Sequence, residues 1–201
     1  MVRYIYSAGG YARELVRLVR LQYPEDEVQF VDDNERAGSL TFAQASQEIE
    51  GSEMLVGFAS PALRAEKHEL VKRAGFKVFS VVANTAIVGD NVLLGEGSVM
   101  SDFTMVTSDA TIGDGFQCNI YSYIAHDCLV GDFVTLAPRV SVNGRVTLED
   151  NVYIGTGATI LPGSNEASIV IGEGAKIGAH ALVTKSVAPR ATVVGCPAKP
   201  I

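Results

Sequence analysis

The sequence predicts an α/β N-terminal unit over residues 1–82, followed by a parallel β-helix over residues 83–201. Two observations predict this. Apolar strand patterns alternate with helical patterns in the first unit, and an apolar residue recurs every six positions from residue 88 onward. A period of six fits neither an α-helix, with about 3.6 residues per turn, nor a flat strand, whose side chains alternate. Stacked short strands around a triangular core do require it.

Short apolar runs and turn residues organise the N-terminal unit. Strands are expected at residues 3–8, 28–31, 54–58 and 76–82. One helix follows Gly9-Gly10, and a second opens at Pro61 and ends near Ala74, before Gly75. Alternation of strand and helix is typical of a parallel sheet with right-handed crossovers. We therefore interpret this unit as a small Rossmann-like domain.

The hexapeptide register continues without a break over thirteen apolar residues. They are Val88, Leu94, Met100, Val106, Ile112, Cys118, Ile124, Val130, Leu136, Val142, Leu148, Ile154 and Ile160. The register then slips by five before resuming at Ile171, so Pro162–Ser168 is predicted to be an extruded loop. Since three hexads make one coil, residues 18 apart should stack.

Composition and charge exclude several classes of function. The 201 residues are 47% hydrophobic and 19% charged, which favours a packed core over disorder. A net charge of −7 argues against binding to nucleic acid or insertion at an anionic membrane. The three cysteines, Cys118, Cys128 and Cys196, lack metal-site spacing and are odd in number. These features and the lack of a signal-like N-terminus predict a cytoplasmic protein.

Motifs spread along the whole chain carry a family resemblance. They are SAGGYAREL after the first strand, FVDD at the end of the second, NIYSYIAHDCLVGDFVTLAP, Asn143-Gly144 and the terminal GCPAK. In these the chain resembles the hexapeptide-repeat acyltransferases, within them the sialic-acid O-acetyltransferase-like proteins and bacterial nucleotide-amino-sugar N-acetyltransferases. The resemblance implies a left-handed β-helix, a homotrimer, and acetyl-CoA in a groove between neighbouring β-helices. It also implies that the N-terminal unit holds a nucleotide-linked sugar of UDP type.

A histidine next to a carboxylate is the candidate catalytic pair. His126 comes two places after core residue Ile124, at a coil corner, and Asp127 follows it. Imidazole can remove a proton from an attacking amine or hydroxyl near neutral pH, and a carboxylate can orient the ring. The resemblance assigns these roles to His126 and Asp127. Residue 126 plus 18 is 144, so Gly144 should stack on His126. By resemblance its backbone N–H would bind the acetyl carbonyl, although Asn143-Gly144 would also satisfy a plain turn.

Further candidates come from both ends of the chain. By resemblance Gly195, Pro197 and Lys199 in the tail line the CoA groove, and Lys176, Lys185, Arg190 and Lys199 are candidates for CoA phosphates. The candidate substrate-binding residues are Gly9, Gly10, Tyr11, Asp32, Asp33 and Asn119. Glycine lets backbone N–H groups approach a phosphate, and the carboxylates can accept hydrogen bonds from a base or ribose.

Three departures from the family pattern leave the acceptor open. Tyr11 stands where the family usually has histidine, Thr135 stands where relatives have a second histidine, and Gly57-Phe58 replaces a usual Gly-Asn. An amine is the better nucleophile once neutral, so N-acetylation is favoured.

The alternatives are O-acetylation of a hydroxyl, a non-catalytic scaffold and a zinc enzyme. Zinc would need three converging histidines. His126 and His180 are separated by the register slip, and His68 is expected on a solvated helix face. No metal is therefore expected.

Overall fold

Five parallel strands and three helices form the N-terminal unit of the computed structural model, which describes residues 1–34, 36 and 38–201. In chain order they are β1 (Val2–Tyr6), α1 (Gly10–Gln22), β2 (Glu27–Val31), β3 (Ser39–Leu40), α2 (Phe42–Ala45), β4 (Ser52–Val56), α3 (Pro61–Arg73) and β5 (Lys77–Val78). The strand order is β3-β2-β1-β4-β5, so β1 lies at the centre. Its residues Tyr4, Ile5 and Tyr6 are buried, as expected for a central parallel strand covered on both faces.

Two features of this unit differ from the expected pattern. The short elements β3 and α2 were not predicted, although Thr41 and Gln44 form the capping box that begins α2. The strand expected over residues 76–82 is divided, because β5 pairs with β4 whereas Val81–Val82 pairs with a strand of the β-helix. The chain thus changes sheets at Phe79-Ser80.

The remaining strands wind into a parallel β-helix with three faces. Face I contains β6 (Val81–Val82), β8 (Val99–Met100), β10 (Gln117–Cys118), β13 (Thr135–Leu136), β16 (Tyr153–Ile154), β19 (Lys176–Ile177), β21 (Thr192–Val194) and the antiparallel β22 (Lys199–Pro200). Two strands, β7 (Ile87–Leu94) and β9 (Met105–Ile112), bend across faces II and III. Face II continues with β11 (Tyr123–Ile124), β14 (Ser141–Val142), β17 (Thr159–Ile160) and β20 (Leu182–Val183). Face III continues with β12 (Leu129–Val130), β15 (Val146–Leu148) and β18 (Ile169–Ile171).

Strand pairing confirms the predicted register. Gln117 pairs with Thr135 and Tyr123 pairs with Ser141, 18 residues apart in each case. Val146 pairs with Ile169, 23 residues on, so the five extra residues lie in the extruded loop as predicted. The hexad residues from Met100 to Ile160 are buried in the core, whereas Val88 on the outermost coil is 42% exposed. The first coil has no coil above it to cover that side chain.

Glycines permit the close stacking of neighbouring coils. A Cβ at Gly95 would lie 2.4 Å from the carbonyl carbon of Gly113, and a Cβ at Gly89 would lie 1.7 Å from the Thr107 oxygen. No side chain fits at these positions, which explains why glycine so often follows a core residue in the repeat.

Helix α3 packs against the β-helix with a polar face. Its buried residues are Arg64, His68 and Val71, exposed by only 1%, 2% and 0%. The expectation that His68 lies on a solvated face is therefore wrong. The His68 ring packs edge-on against Phe133, with the ring centroids 5.2 Å apart. Arg64, His68 and Val71 are spaced four and three residues apart, so they lie on one face of α3, and that face is the buried one. In the described part of the chain, no helix is long and apolar enough to cross a membrane.

Candidate active site

His126 and Asp127 form a hydrogen-bonded pair at the corner between faces II and III. The ring Nδ1 lies 2.7 Å from Asp127 Oδ2, and both side chains are about half exposed, at 49% and 48%. Asp127 reaches the ring because its backbone adopts φ 56°, in the left-handed region common at such corners. The hydrogen bond with His126 holds the pKa of Asp127 below its usual value, and Arg145, 3.5 Å away, adds to this. An ionised carboxylate on Nδ1 leaves Nε2 to accept a proton.

Gly144 lies directly against the His126 ring, as the spacing of 18 predicts. A Cβ at this position would be 2.6 Å from Nε2 and 2.5 Å from Cε1. The Arg145 N–H donates to the His126 carbonyl at 3.0 Å, which fixes the two coils relative to each other. The absence of a side chain at residue 144 thus lets the His126 ring pack directly against the neighbouring coil, in the place that a Cβ would take.

The two aspartates at the end of β2 hold the N-terminal turns together. Asp32 accepts hydrogen bonds from the Ala8 N–H at 2.9 Å and from the backbone and side chain of Asn34. Its burial opposes ionisation, but these bonds hold the pKa of Asp32 below its usual value. Asp33 accepts from the Tyr6 hydroxyl at 2.5 Å and from the Phe42 N–H at 2.9 Å. Each Asp33 oxygen accepts one of these bonds and retains a lone pair for a ligand at this sheet edge, whereas Asp32 Oδ1 already accepts both bonds from Asn34.

The glycine turn after β1 leads directly into α1. Gly9 is the N-cap and Gly10 the first helical residue, and the first turn has neither a side-chain cap nor an acidic residue. A Cβ at Gly10 would meet nothing within 4 Å, so the space beside it is open. Arg13 and Arg36 both donate to the Ala8 carbonyl, at 3.0 and 3.1 Å. These two cations beside the turn were missed in the sequence, where each resembles an ordinary surface charge.

Tyr11 and Asn119 come together between the two units. Both line a cavity of about 140 Å³ that is also bounded by Gln117 and Thr135. Asn119 lies at the corner between faces I and II, whereas His126 lies at the corner between faces II and III. A single chain therefore places the predicted substrate residues and the predicted catalytic pair at different corners.

The tail folds back onto the last coil. Lys199 in β22 pairs with Val194, and Gly195 takes φ 93°, which favours glycine. A cavity of about 260 Å³ lies beside the tail and is lined by Lys185, Ala198 and Pro200 among others. The predicted residues Gly195, Pro197 and Lys199 belong to the same turn, although they do not line the cavity. Of the four basic candidates for CoA phosphates, Lys185 alone does so; Lys176 lies on face I and Arg190 at the corner between faces III and I.

The three histidines do not converge. His180 packs against Gly157 at the corner between faces I and II, whereas His126 lies at the corner between faces II and III. Within residues 1–34, 36 and 38–201, no three metal-binding side chains come close enough to hold a metal ion.

Comparison with known proteins places the chain in a family, although no family model matches it. The GDP-perosamine N-acetyltransferase of Escherichia coli O157:H7 is 34% identical over 97% of this chain and 94% of its own length. The chain belongs to the hexapeptide-repeat acyltransferase family. WeeI of Acinetobacter baumannii AYE is 36% identical over the whole of both chains, with a TM-score of 0.97. The acetyltransferase domain of PglB from Neisseria gonorrhoeae FA1090, solved with acetyl coenzyme A, is 25% identical with a TM-score of 0.89.

Membership confirms the predicted enzyme class, an acyltransferase dependent on acetyl-CoA. The non-catalytic scaffold and the zinc enzyme are thereby set aside. One feature that does not depend on the family resemblance was missed in the sequence. Arg64, which lies on α3, is buried against face I of the β-helix. No pattern in the sequence marked it, because the face of α3 that carries Arg64 and His68 is polar and resembles a solvated one.

Proposed function

We propose that this protein transfers the acetyl group of acetyl-CoA to the amino group of a nucleotide-linked sugar, with His126 as general base. The observation that carries the proposal is the His126–Asp127 pair, whose Nε2 lies against the backbone of Gly144. The neutral amine attacks the thioester carbon, and the carbonyl π-electrons move to its oxygen. Nε2 takes one amine proton, the tetrahedral intermediate collapses, and the proton passes to the departing CoA thiolate. The Gly144 N–H supports the oxyanion, and the ionised Asp127 stabilises the imidazolium.

The extent of the matches supports GDP over the UDP that the family resemblance implies. The relatives named for UDP sugars match only 59% or 57% of the chain. The relative named for a GDP sugar matches 97%, including the N-terminal unit that would bind the nucleotide. GDP is therefore the first nucleotide to test. We propose that residues 1–82, predicted as Rossmann-like, bind it between the Gly9-Gly10 turn and Asp32-Asp33, and that residues 83–201 carry out acetyl transfer.

The corner of the β-helix that carries His126 could hold acetyl-CoA along its length. Lys185 lies at the same corner, between faces II and III, and lines the cavity at the far end of the β-helix. Gly144 and the extruded loop lie between it and His126. We infer that CoA extends along this corner, with its acetyl group at His126 and Lys185 near a phosphate.

The acceptor sugar must be bound by a subunit other than the one that supplies His126. Tyr11, near the start of α1, and Asn119, at the corner between faces I and II, line one cavity, whereas His126 lies at another corner. A homotrimer, which the family resemblance implies, would bring the substrate residues of one subunit to His126 of its neighbour.

Calorimetry with free nucleotides tests the acceptor assignment. We expect GDP to bind more tightly than UDP or dTDP, and Asp33→Asn to weaken the binding while leaving acetyl-CoA binding unchanged. If none of the three nucleotides binds and the enzyme acetylates an unlinked small molecule equally well, the nucleotide-sugar proposal is wrong.

A further inference from the structure

A buried arginine joins the two units of the chain. Arg64 extends from α3 to face I and is 1% exposed. Within its own unit it donates to the carbonyls of Phe58 and Ala59, at 2.8 and 3.4 Å. Across the interface it donates to three carbonyls and two side chains of the β-helix, at 2.7 to 3.3 Å. These acceptors belong to Gly115, Gln117, Phe133, Val134 and Thr135. One side chain thus bonds to the loop before α3 and to two successive coils.

The charge of Arg64 is held by neutral groups alone. Every acceptor that its bonds reach is a backbone carbonyl, an amide oxygen or a hydroxyl. Burial lowers the pKa of Arg64 to about 10, so the guanidinium stays charged near neutral pH. A buried charge is costly unless its N–H donors all find acceptors, and guanidinium has five donors in a fixed plane. Arg64 therefore fits only where the acceptors have this arrangement.

A repeating surface such as face I needs a feature that selects one docking position. Its strands repeat every 18 residues and are spaced about 4.8 Å apart, as in any sheet. A helix packed on this face meets similar backbone groups at each coil. Contacts with the backbone alone would therefore favour several positions along the β-helix about equally, and only the side chains distinguish the coils.

The side chains that Arg64 contacts make the observed position unique. Gln117 pairs with Val99 on one side and with Thr135 on the other, and Thr135 pairs next with Tyr153. If α3 lay one coil nearer to residue 83, Val99 would replace Gln117 and offer the guanidinium no acceptor. If α3 lay one coil nearer to residue 201, the Tyr153 ring would occupy the space of the buried Thr135 hydroxyl. Either shift would leave buried donors of Arg64 without partners.

His68 favours the same position through the size of its neighbours. A Cβ at Gly97 would lie 3.4 Å from His68 Cε1, and the Phe133 ring centroid is 5.2 Å from that of His68. Residues 97, 115, 133 and 151 occupy equivalent places in successive coils. After a shift of one coil, Gly115 or Asn151 would replace Phe133, and the contact between the two rings would be lost. Small and large residues therefore have to match α3 at this position.

We propose that Arg64 is a positioning residue for acetyl transfer, because it fixes the place along the β-helix at which the N-terminal unit docks. The inference rests on the proposed function, in which that unit carries the acceptor to His126 of a neighbouring subunit. A shift by one coil would move the acceptor by about 4.8 Å. A misplacement of about 1 Å can already cost about 10²-fold in rate. The docking position therefore decides whether the amine reaches the acetyl group.

Arg64→Met, which keeps an unbranched apolar chain but removes all five donors, is the test. We expect kcat with a GDP-linked amino sugar to fall roughly 10–100-fold, because the acceptor is misplaced. The Kd for GDP and the KM for acetyl-CoA should change less than about 2-fold, since Arg64 contacts neither proposed binding site. Arg64→Lys should recover only part of the lost kcat, because one ammonium group cannot reach acceptors on two coils.

Lys72→Met is the matched control on the same helix. Lys72 also bonds across the interface, to Glu96 of the β-helix, but its side chain is 46% exposed. Exposed ion pairs contribute little, so kcat should stay within about 2-fold of the wild type. In all variants kcat is expressed per acetyl-CoA binding site, counted by calorimetry, so that unfolded protein does not enter the value. A lower melting temperature with an unchanged kcat per site is the result that a purely structural role predicts.

A wild-type kcat per site in Arg64→Met would overturn the proposal. If that variant does not fold, Arg64→Lys decides: a reduced kcat with wild-type ligand binding supports the proposal, and a wild-type kcat overturns it. If neither variant binds GDP or acetyl-CoA, Arg64 serves folding alone and the proposal is wrong. Failure of the wild type to acetylate any nucleotide-linked amino sugar would instead overturn the proposed function, and this inference with it.

Discussion

His126 and Gly144 are in contact from adjacent coils, so any side chain at residue 144 would displace the His126 ring. In Gly144→Ala the new Cβ would lie 2.5 Å from the ring, which must swing away into solvent. We expect kcat to fall roughly 10–100-fold because the base is misplaced. The free energy of unfolding should change by only about 0.5 kcal/mol, since the half-exposed ring is free to move. Steady-state kinetics and urea unfolding measure the two quantities. Wild-type activity in this variant would show that the ring position does not matter.

The catalytic pair itself gives a graded prediction. His126→Ala should lower kcat by roughly 10²–10⁴-fold with little change in the KM for acetyl-CoA, because a general base acts on the acceptor. Asp127→Asn should cost less, since the ring loses its charged partner but keeps Nε2. The control is His180→Ala, whose ring lies at a different corner. An unchanged kcat in His126→Ala at neutral pH would remove this residue from the mechanism.

At this scale the sequence revealed only some of the site. The stacking of Gly144 on His126 follows from the period alone, because residues 18 apart occupy equivalent places in successive coils. The buried positions of Arg64 and His68 do not follow from the sequence, because their helix face is polar and resembles a solvated one. Which polar face is buried depends on the partner surface, here face I of the β-helix, and that surface forms only in the folded chain.

Among the elements, α3 carries a buried histidine, His68, that makes the free energy of unfolding depend on pH. Burial lowers the pKa of His68 below its usual value of about 6.5, although Glu96 at 3.6 Å opposes this. The unfolded chain then binds a proton at a pH where the folded chain does not. The free energy of unfolding should therefore fall as pH drops through about 6.5 toward the folded pKa, by at most about 1.4 kcal/mol per pH unit.

Urea unfolding of His68→Gln between about pH 7.5 and pH 5 tests this linkage. The variant should have a shallower decline than the wild type, whatever its overall stability. His180→Gln is the matched control, because its side chain is exposed at a corner, and it should keep the wild-type slope. Equal slopes for wild type and His68→Gln would contradict the assignment.

The elements differ in how far a sequence pattern can define them. The β-helix was predictable because its core residues repeat at one period over more than four coils, and strand pairing follows that period. The β3 strand has two residues and α2 has four, too few for periodicity to show. The division of the expected strand at Phe79-Ser80 was also hidden, since both parts are apolar and only the sheet that each one joins separates them.

At the scale of the whole molecule, the proposed shared site requires more than one subunit. The substrate residues and His126 lie at different corners, so we expect a homotrimer with three times the mass of the chain. Sedimentation velocity over a range of concentrations measures this. A fully active monomer would contradict the shared site.

In the proposed reaction, an amine on a nucleotide-linked sugar receives the acetyl group. The most direct measurement is the product formed from acetyl-CoA and GDP- or UDP-linked amino sugars, followed by CoA release and mass spectrometry. We expect one acetyl group added as an amide that survives mild base, with the reaction strongly reduced in His126→Ala. A base-labile ester on a sugar hydroxyl, or CoA release that no nucleotide-linked amino sugar stimulates, would contradict it.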